Sequence, residues 1–136
     1  VQTCALPIFS NDLACRNTAL DFSRAPEKRA FLREVEPEDA PGASPEGDAK
    51  IRRTIAHLHA VVLGQNDKPD SPAVARTFQL LADIMHDAAE RGRIAPEEKY
   101  DCRQGLEHPV ADPKYAVRAW RAVMTYLLRR QEFLYE

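Results

Sequence analysis

Between residues 117 and 128 the large apolar side chains fall at three- and four-residue steps: Val117, Trp120, Val123, Met124, Leu127 and Leu128. That spacing puts them on one wide face of an α-helix and is incompatible with the alternation of a half-buried strand. Trp120 is the only tryptophan in the chain and the largest anchor available to a core. Asp112 can accept from the free N–H groups of a first helical turn, and Pro113 suits the first helical position, so a helix is expected from there. Arg129 and Arg130 fall near its end, where positive charge suits the macrodipole. Phe133, Leu134 and Tyr135 continue the apolar surface. A face this wide must be covered by other elements.

Two stripes elsewhere have the same period. Ile51, Ile55, Leu58 and Val62 predict a helix over 49–63, with Asp48 as its cap and Gly64 in the left-handed position beyond it. Val74, Phe78, Leu81, Met85 and Ala88 predict another, opened by Ser71-Pro72 and closed by Gly92. The short polar turn between them predicts an antiparallel hairpin. Pro26 opens a short helix through Val35, with Ala30, Phe31 and Val35 inward. Residues 9–24 show no period and read as an irregular cover carrying Leu13, Leu20 and Phe22. Residues 36–48 hold five acids, three prolines, two glycines and no base. Such a composition predicts a loop without fixed structure. Pro96, Gly105 and Pro109 break up residues 93–111, where Ile94, Tyr100, Leu106 and Val110 are the candidates to pin the chain down.

The expected fold is therefore all-α. Three main helices and one short one form a small orthogonal or bundle-like packing, with two long irregular loops. Residues 49–136 are the helical domain and 9–48 an irregular segment leading into it. Residues 1–8, V-Q-T-C-A-L-P-I, read as the translated end of a common short-read sequencing adapter and are set aside. On that reading the chain is the C-terminal piece of a larger protein.

Function is less legible. The formal net charge of -2 disfavours a nucleic-acid binder, which would carry a basic excess. No apolar run approaches the ~20 residues of a membrane span. Cys15 and Cys102 can pair as a disulfide or remain two thiols, and the residues leave both open. His57 and His59 lie two apart, about 200° around a helix, so one metal ion cannot easily take both. One is expected at the core edge and one in solvent. Asp83 and His86 copy half of a di-iron spacing once only, and read with Asp87 as a solvated face. Glu107-His108 lies near Asp101 and Cys102, which could in principle pair a thiol with a base. Arg118, Arg121, Arg129 and Arg130 can be drawn as a basic strip facing the acidic loop or a partner domain. Phosphate-cradling glycine loops, G-x-S-x-G and H-E-x-x-H are absent. No catalytic, cofactor-binding or metal-binding residue is assigned; His57, His86 and His108 are the weakest-founded candidates.

Two stretches resemble a known family. His57-Leu58-His59-Ala60-Val61-Val62-Leu63-Gly64, then a polar turn and residues 71–84, resembles an "L-x-x-x-L-G-R-x-P-T-x-x-E" helical hairpin of large exported proteins in planctomycetes and related bacteria. Residues 119–128 followed by Glu132-Phe133-Leu134 resemble that family's "A-W-x-x-L-L-N-S-x-E-F-L", with Arg130-Gln131 where the family has N-S. The resemblance implies a C-terminal helical domain without assigned activity, in the periplasm or outside the cell. Its partners would be other domains of the same parent, a c-type cytochrome domain among them. No cofactor is expected in this piece, which has no C-x-x-C-H. The resulting expectation is a non-catalytic accessory or interaction domain. The alternative is a small metal-binding or hydrolytic helical domain using His, Cys and carboxylate side chains.

Overall fold

Four α-helices carry the chain: α1 (Gln2–Phe22), α2 (Pro45–Leu63), α3 (Pro72–Glu90) and α4 (Ala116–Leu134). Two single 3₁₀ turns, Pro26–Lys28 and Asp101–Arg103, lie between them. The computed structural model describes residues 2–92, 101–103 and 105–134, and the side chains of these apart from residues 2–9, 101 and 132–134. The protein is all-α, and no strand occurs among the described residues. Helix α4 is the hub: it packs most extensively on α1 and also touches α2 and α3.

The predicted stripes build the core. Val117, Trp120, Val123, Met124 and Leu127 are buried, as are Ile51, Ile55, Leu58, Val74 and Leu81. Leu128, Phe78 and Met85 are half-buried and pack at the margin. Leu106 and Val110 also lie against the core, whereas Ile94, Tyr100 and Phe133 to Tyr135 fall outside the described side chains. Trp120 is fully enclosed, and its Nε1–H meets no hydrogen-bond partner among the described residues. Its contribution is therefore apolar area and shape.

Residues 9–24, expected to be irregular, are helical to Phe22. The period is present, but small and polar residues carry it. Ser10, Ala14 and Thr18 are buried at four-residue steps, with Ala19 and Phe22 beside them. Helix α4, on which α1 packs, also buries small residues, Ala116 and Ala119. Small side chains on both helices are of the kind that permit close helix packing. Cys15 is bonded to Cys102, with a Cα–Cα distance of 5.0 Å across 87 positions. This bond ties α1 to the 3₁₀ turn before α4. In the chain-entropy model a closed loop of that length contributes about 4–5 kcal/mol.

Two helix starts differ from the sequence reading. Helix α2 begins at Pro45 with Ser44 as N-cap, whose side chain accepts from Gly47 N–H; Asp48 lies inside the helix. The sequence Ser44-Pro45 repeats the Ser71-Pro72 start of α3, where Ser71 accepts from Val74 N–H. Helix α4 begins at Ala116, three residues later than Pro113. Asp112 still caps it, from outside: Oδ1 accepts from Val117 N–H at 2.9 Å and Oδ2 from Arg118 N–H at 3.2 Å. Arg118 Nε donates to Oδ2 at 2.8 Å. The turn that allows this puts Tyr115 at φ 66, a left-handed conformation costly for a bulky residue. The Arg118 guanidinium lies 4.3 Å from the Tyr115 ring centroid and helps hold that turn.

The short helix expected over 26–35 is only the 3₁₀ turn, because side chains take over its backbone. Asp21 accepts from the N–H groups of Ala30, Phe31 and Leu32. Buried Arg29 donates to the carbonyls of Arg24, Leu32 and Val35 and to Glu36. Val35 turns inward as expected, Phe31 is half-buried, Ala30 is exposed, and Leu32 takes the inner place. The acidic stretch, expected to lack fixed structure, forms turns: Glu36 N–H donates to Asp39, and Gly42 N–H to Asp48.

Trp120→Ala is expected to lower unfolding free energy by roughly 3–5 kcal/mol in urea denaturation. Trp120→Phe should cost less, since it keeps most of the apolar bulk and removes the unpaired N–H. Equal losses for the two variants would contradict this account of the core.

Candidate functional site

The sequence places His57 and His59 on one helix, and the fold separates them. His57 is half-buried, with Nε2 2.9 Å from the Ala30 carbonyl oxygen. His59 is completely enclosed. Its Nδ1 is 2.8 Å from Asp67 Oδ2, and its Nε2 is 2.9 Å from Thr77 Oγ1. The arrangement spans three elements: Asp67 on the α2–α3 connection, His59 on α2 and Thr77 on α3. A carboxylate can only accept in this pairing, so the network puts a hydrogen on Nδ1. With Nε2 unprotonated, the Thr77 hydroxyl donates to it. With Nε2 protonated, the hydroxyl accepts and turns its own hydrogen to the Ala73 carbonyl, 3.5 Å away. Either placement leaves every polar atom of the line satisfied. That is the condition under which a buried polar network rigidifies a fold.

His59 was not a sequence candidate, and neither were its partners. A signal was present: Thr77 falls on the Val74–Leu81 stripe, and His59 lies beside Leu58, Val62 and Leu63. A polar residue on an apolar stripe must find a partner. The partners are 8 and 18 positions away, so only the fold identifies them.

The other candidates remain apart. His86 is exposed and pairs with Glu90 at 3.1 Å along α3. Asp83 accepts from Gln79, and Asp87 pairs with Arg91, in keeping with a solvated face. His108 is exposed in the loop before α4. Cys102 is in the disulfide, so no thiolate is available there to act with a histidine. Among the described residues no three His, Cys, Asp or Glu side chains come together as a metal site. The basic strip is broken up. Arg118 is buried on Asp112, Arg121 donates to Asn11 at 3.0 Å, and Glu36 of the acidic stretch pairs with Arg29.

On the outer side of Thr77 lies a small cleft between α3 and α4. Its volume is about 160 Å³, and it is lined by Ala73, Arg76, Thr77, Leu80, Tyr126 and Arg130. Arg130 stands over the Tyr126 ring, 5.7 Å from its centroid. A second cleft of about 240 Å³ is bounded by Asp83, Ile84, Asp87, Ala88 and Tyr115. Its two carboxylates already have the partners named above. Comparison with known proteins gives no match to a family model, a curated protein or a solved structure.

Thr77→Val should cost roughly 1–3 kcal/mol of stability, because His59 Nε2 would be left buried without a partner. Thr77→Ser keeps the hydroxyl and should recover much of that loss in the same denaturation assay. Two variants of equal stability would mean that the line is not bonded as described.

Proposed function

We propose that this chain is a non-catalytic helical accessory domain at the C-terminus of a larger exported protein, where it packs against other domains of its parent. A c-type cytochrome domain is the neighbour that the two family-like stretches suggest. The observation that supports the reading is the Cys15–Cys102 bond, which joins positions 87 apart and is of a kind that generally persists in oxidising compartments. The reading is also supported by how the polar side chains are used. Asp21, Arg29, Asp112 and Arg118 are buried and bonded to backbone or to each other, and buried His59 is bonded to the side chains of Asp67 and Thr77. They hold loops and helix ends in place.

The genomic DNA upstream of codon 9 tests this directly. An open frame with an export signal and a C-x-x-C-H motif is expected. A start codon at the edge of this piece, with no export signal, would contradict it. Purified chain should contain no stoichiometric haem or transition metal by absorption and elemental analysis; one equivalent of either would overturn the non-catalytic reading.

One observation favours a second reading. Asp67, His59 and Thr77 stand in the carboxylate–imidazole–hydroxyl order of acyl-transfer enzymes, and Thr77 lines a cleft. Against it, Thr77 is 3% exposed and sits within a helix. Turnover of p-nitrophenyl acetate that disappears in Thr77→Ala would establish hydrolysis. The expected result is release no faster than in buffer.

A further inference from the structure

The cleft between α3 and α4 concentrates charge of one sign. Arg76 and Arg130 both line it, and no acid does. Neither guanidinium has a carboxylate partner among the described residues: Arg76 stands in solvent, and Arg130 meets only the Tyr126 ring. The whole chain has a net charge of -2, so two cations and no acid around one small cavity are a local excess of positive charge. Arg16, Arg29, Arg53, Arg91 and Arg118 each meet an acid of the chain itself, whereas Arg121 meets Asn11 and Arg52 the Phe78 ring.

The cavity has a fixed floor. Thr77 is held from behind by His59, which is held in turn by Asp67. Ala73, Leu80 and the Tyr126 ring add apolar wall. At about 160 Å³ the space is well below the ~300–1,000 Å³ of pockets for drug-sized ligands. Guanidinium forks match planar oxyanions, and the apolar wall suits a short carbon body.

We propose that this cleft is a binding site for a small organic carboxylate, its charged end held by Arg76 and Arg130 and its carbon body against Leu80 and Tyr126. This holds whether the chain is an accessory domain or a hydrolase. The test is a titration of the isotope-labelled full chain, followed by amide resonances at constant ionic strength. The probes are succinate, benzoate and inorganic phosphate, with chloride as the control salt. A carboxylate is expected to give saturable shifts centred on residues 73–80 and 126–130. Arg76→Gln and Arg130→Gln should each weaken it about tenfold, as loss of a charge-assisted bond does. Arg129→Gln, an exposed arginine outside the cleft, should change it less than about twofold. Three results would each overturn the proposal: no saturable shift, equal weakening by Arg129→Gln, or phosphate binding as tightly as both carboxylates. The first removes the site, the second reduces it to surface charge, and the third removes the role of the apolar wall.

Discussion

The burial of one face of α4 governs this molecule. Trp120 and its neighbours at 117, 123, 124 and 127 are enclosed only because α1, α2 and α3 each lay a side against that helix. Helices α2 and α3 also bury large side chains, Ile51, Ile55, Leu58 and Leu81 among them, but α4 is the one helix of the described residues that packs on all three others. The start of α4 must therefore be set accurately, since a shift of one residue would rotate the face by about 100°. Asp112 sets it. One carboxylate takes two N–H groups of the first turn and the guanidinium of Arg118, and the left-handed Tyr115 aims it. The disulfide then anchors α1 to the turn that precedes this cap.

Buried charged groups are used in the same way, on backbone that would otherwise be unsatisfied. Asp21 gathers three N–H groups of the 30–32 segment, and Arg29 gathers three carbonyls around it. Such groups stabilise loops that have too little apolar surface to order themselves. His59 does the equivalent for the helical hairpin, tying the α2–α3 connection to α3 through the core. What is left over, on the outer side of Thr77, is a small cleft lined by two arginines and no acid.

The parts legible from sequence are those in which large apolar residues carry the helical period. That is why α3, the body of α2 and the inner face of α4 could be read from residues 51–62, 74–88 and 117–128. Gly64 and Ser71 marked their boundaries because their local chemistry has few alternatives: a left-handed φ of 67 in one case, a cap before proline in the other. Helix α1 was hidden because close packing selected Ser10, Ala14 and Thr18 for the buried face, and such residues carry little hydropathy. Ser44-Pro45 was a valid start signal masked by the acids around it; Glu46 and Asp48 in fact suit the positive end of a helix. In the candidate site, helical rotation implied that His57 and His59 face differently. Which one turns inward depends on Asp67 and Thr77, and no local pattern links those to a histidine.

The central claim is that α4 is the element whose packing holds the rest together. Amide hydrogen exchange of the full chain under native conditions tests it most directly, because opening energies rank elements by how much structure must unfold to expose them. The slowest amides should lie in α4 between Trp120 and Leu127 and should exchange only by global unfolding. The matching amides of α1, α2 and α3 should exchange no more slowly. If α4 exchanged freely while α2 and α3 stayed protected, the hairpin would be the stable core and α4 a peripheral helix.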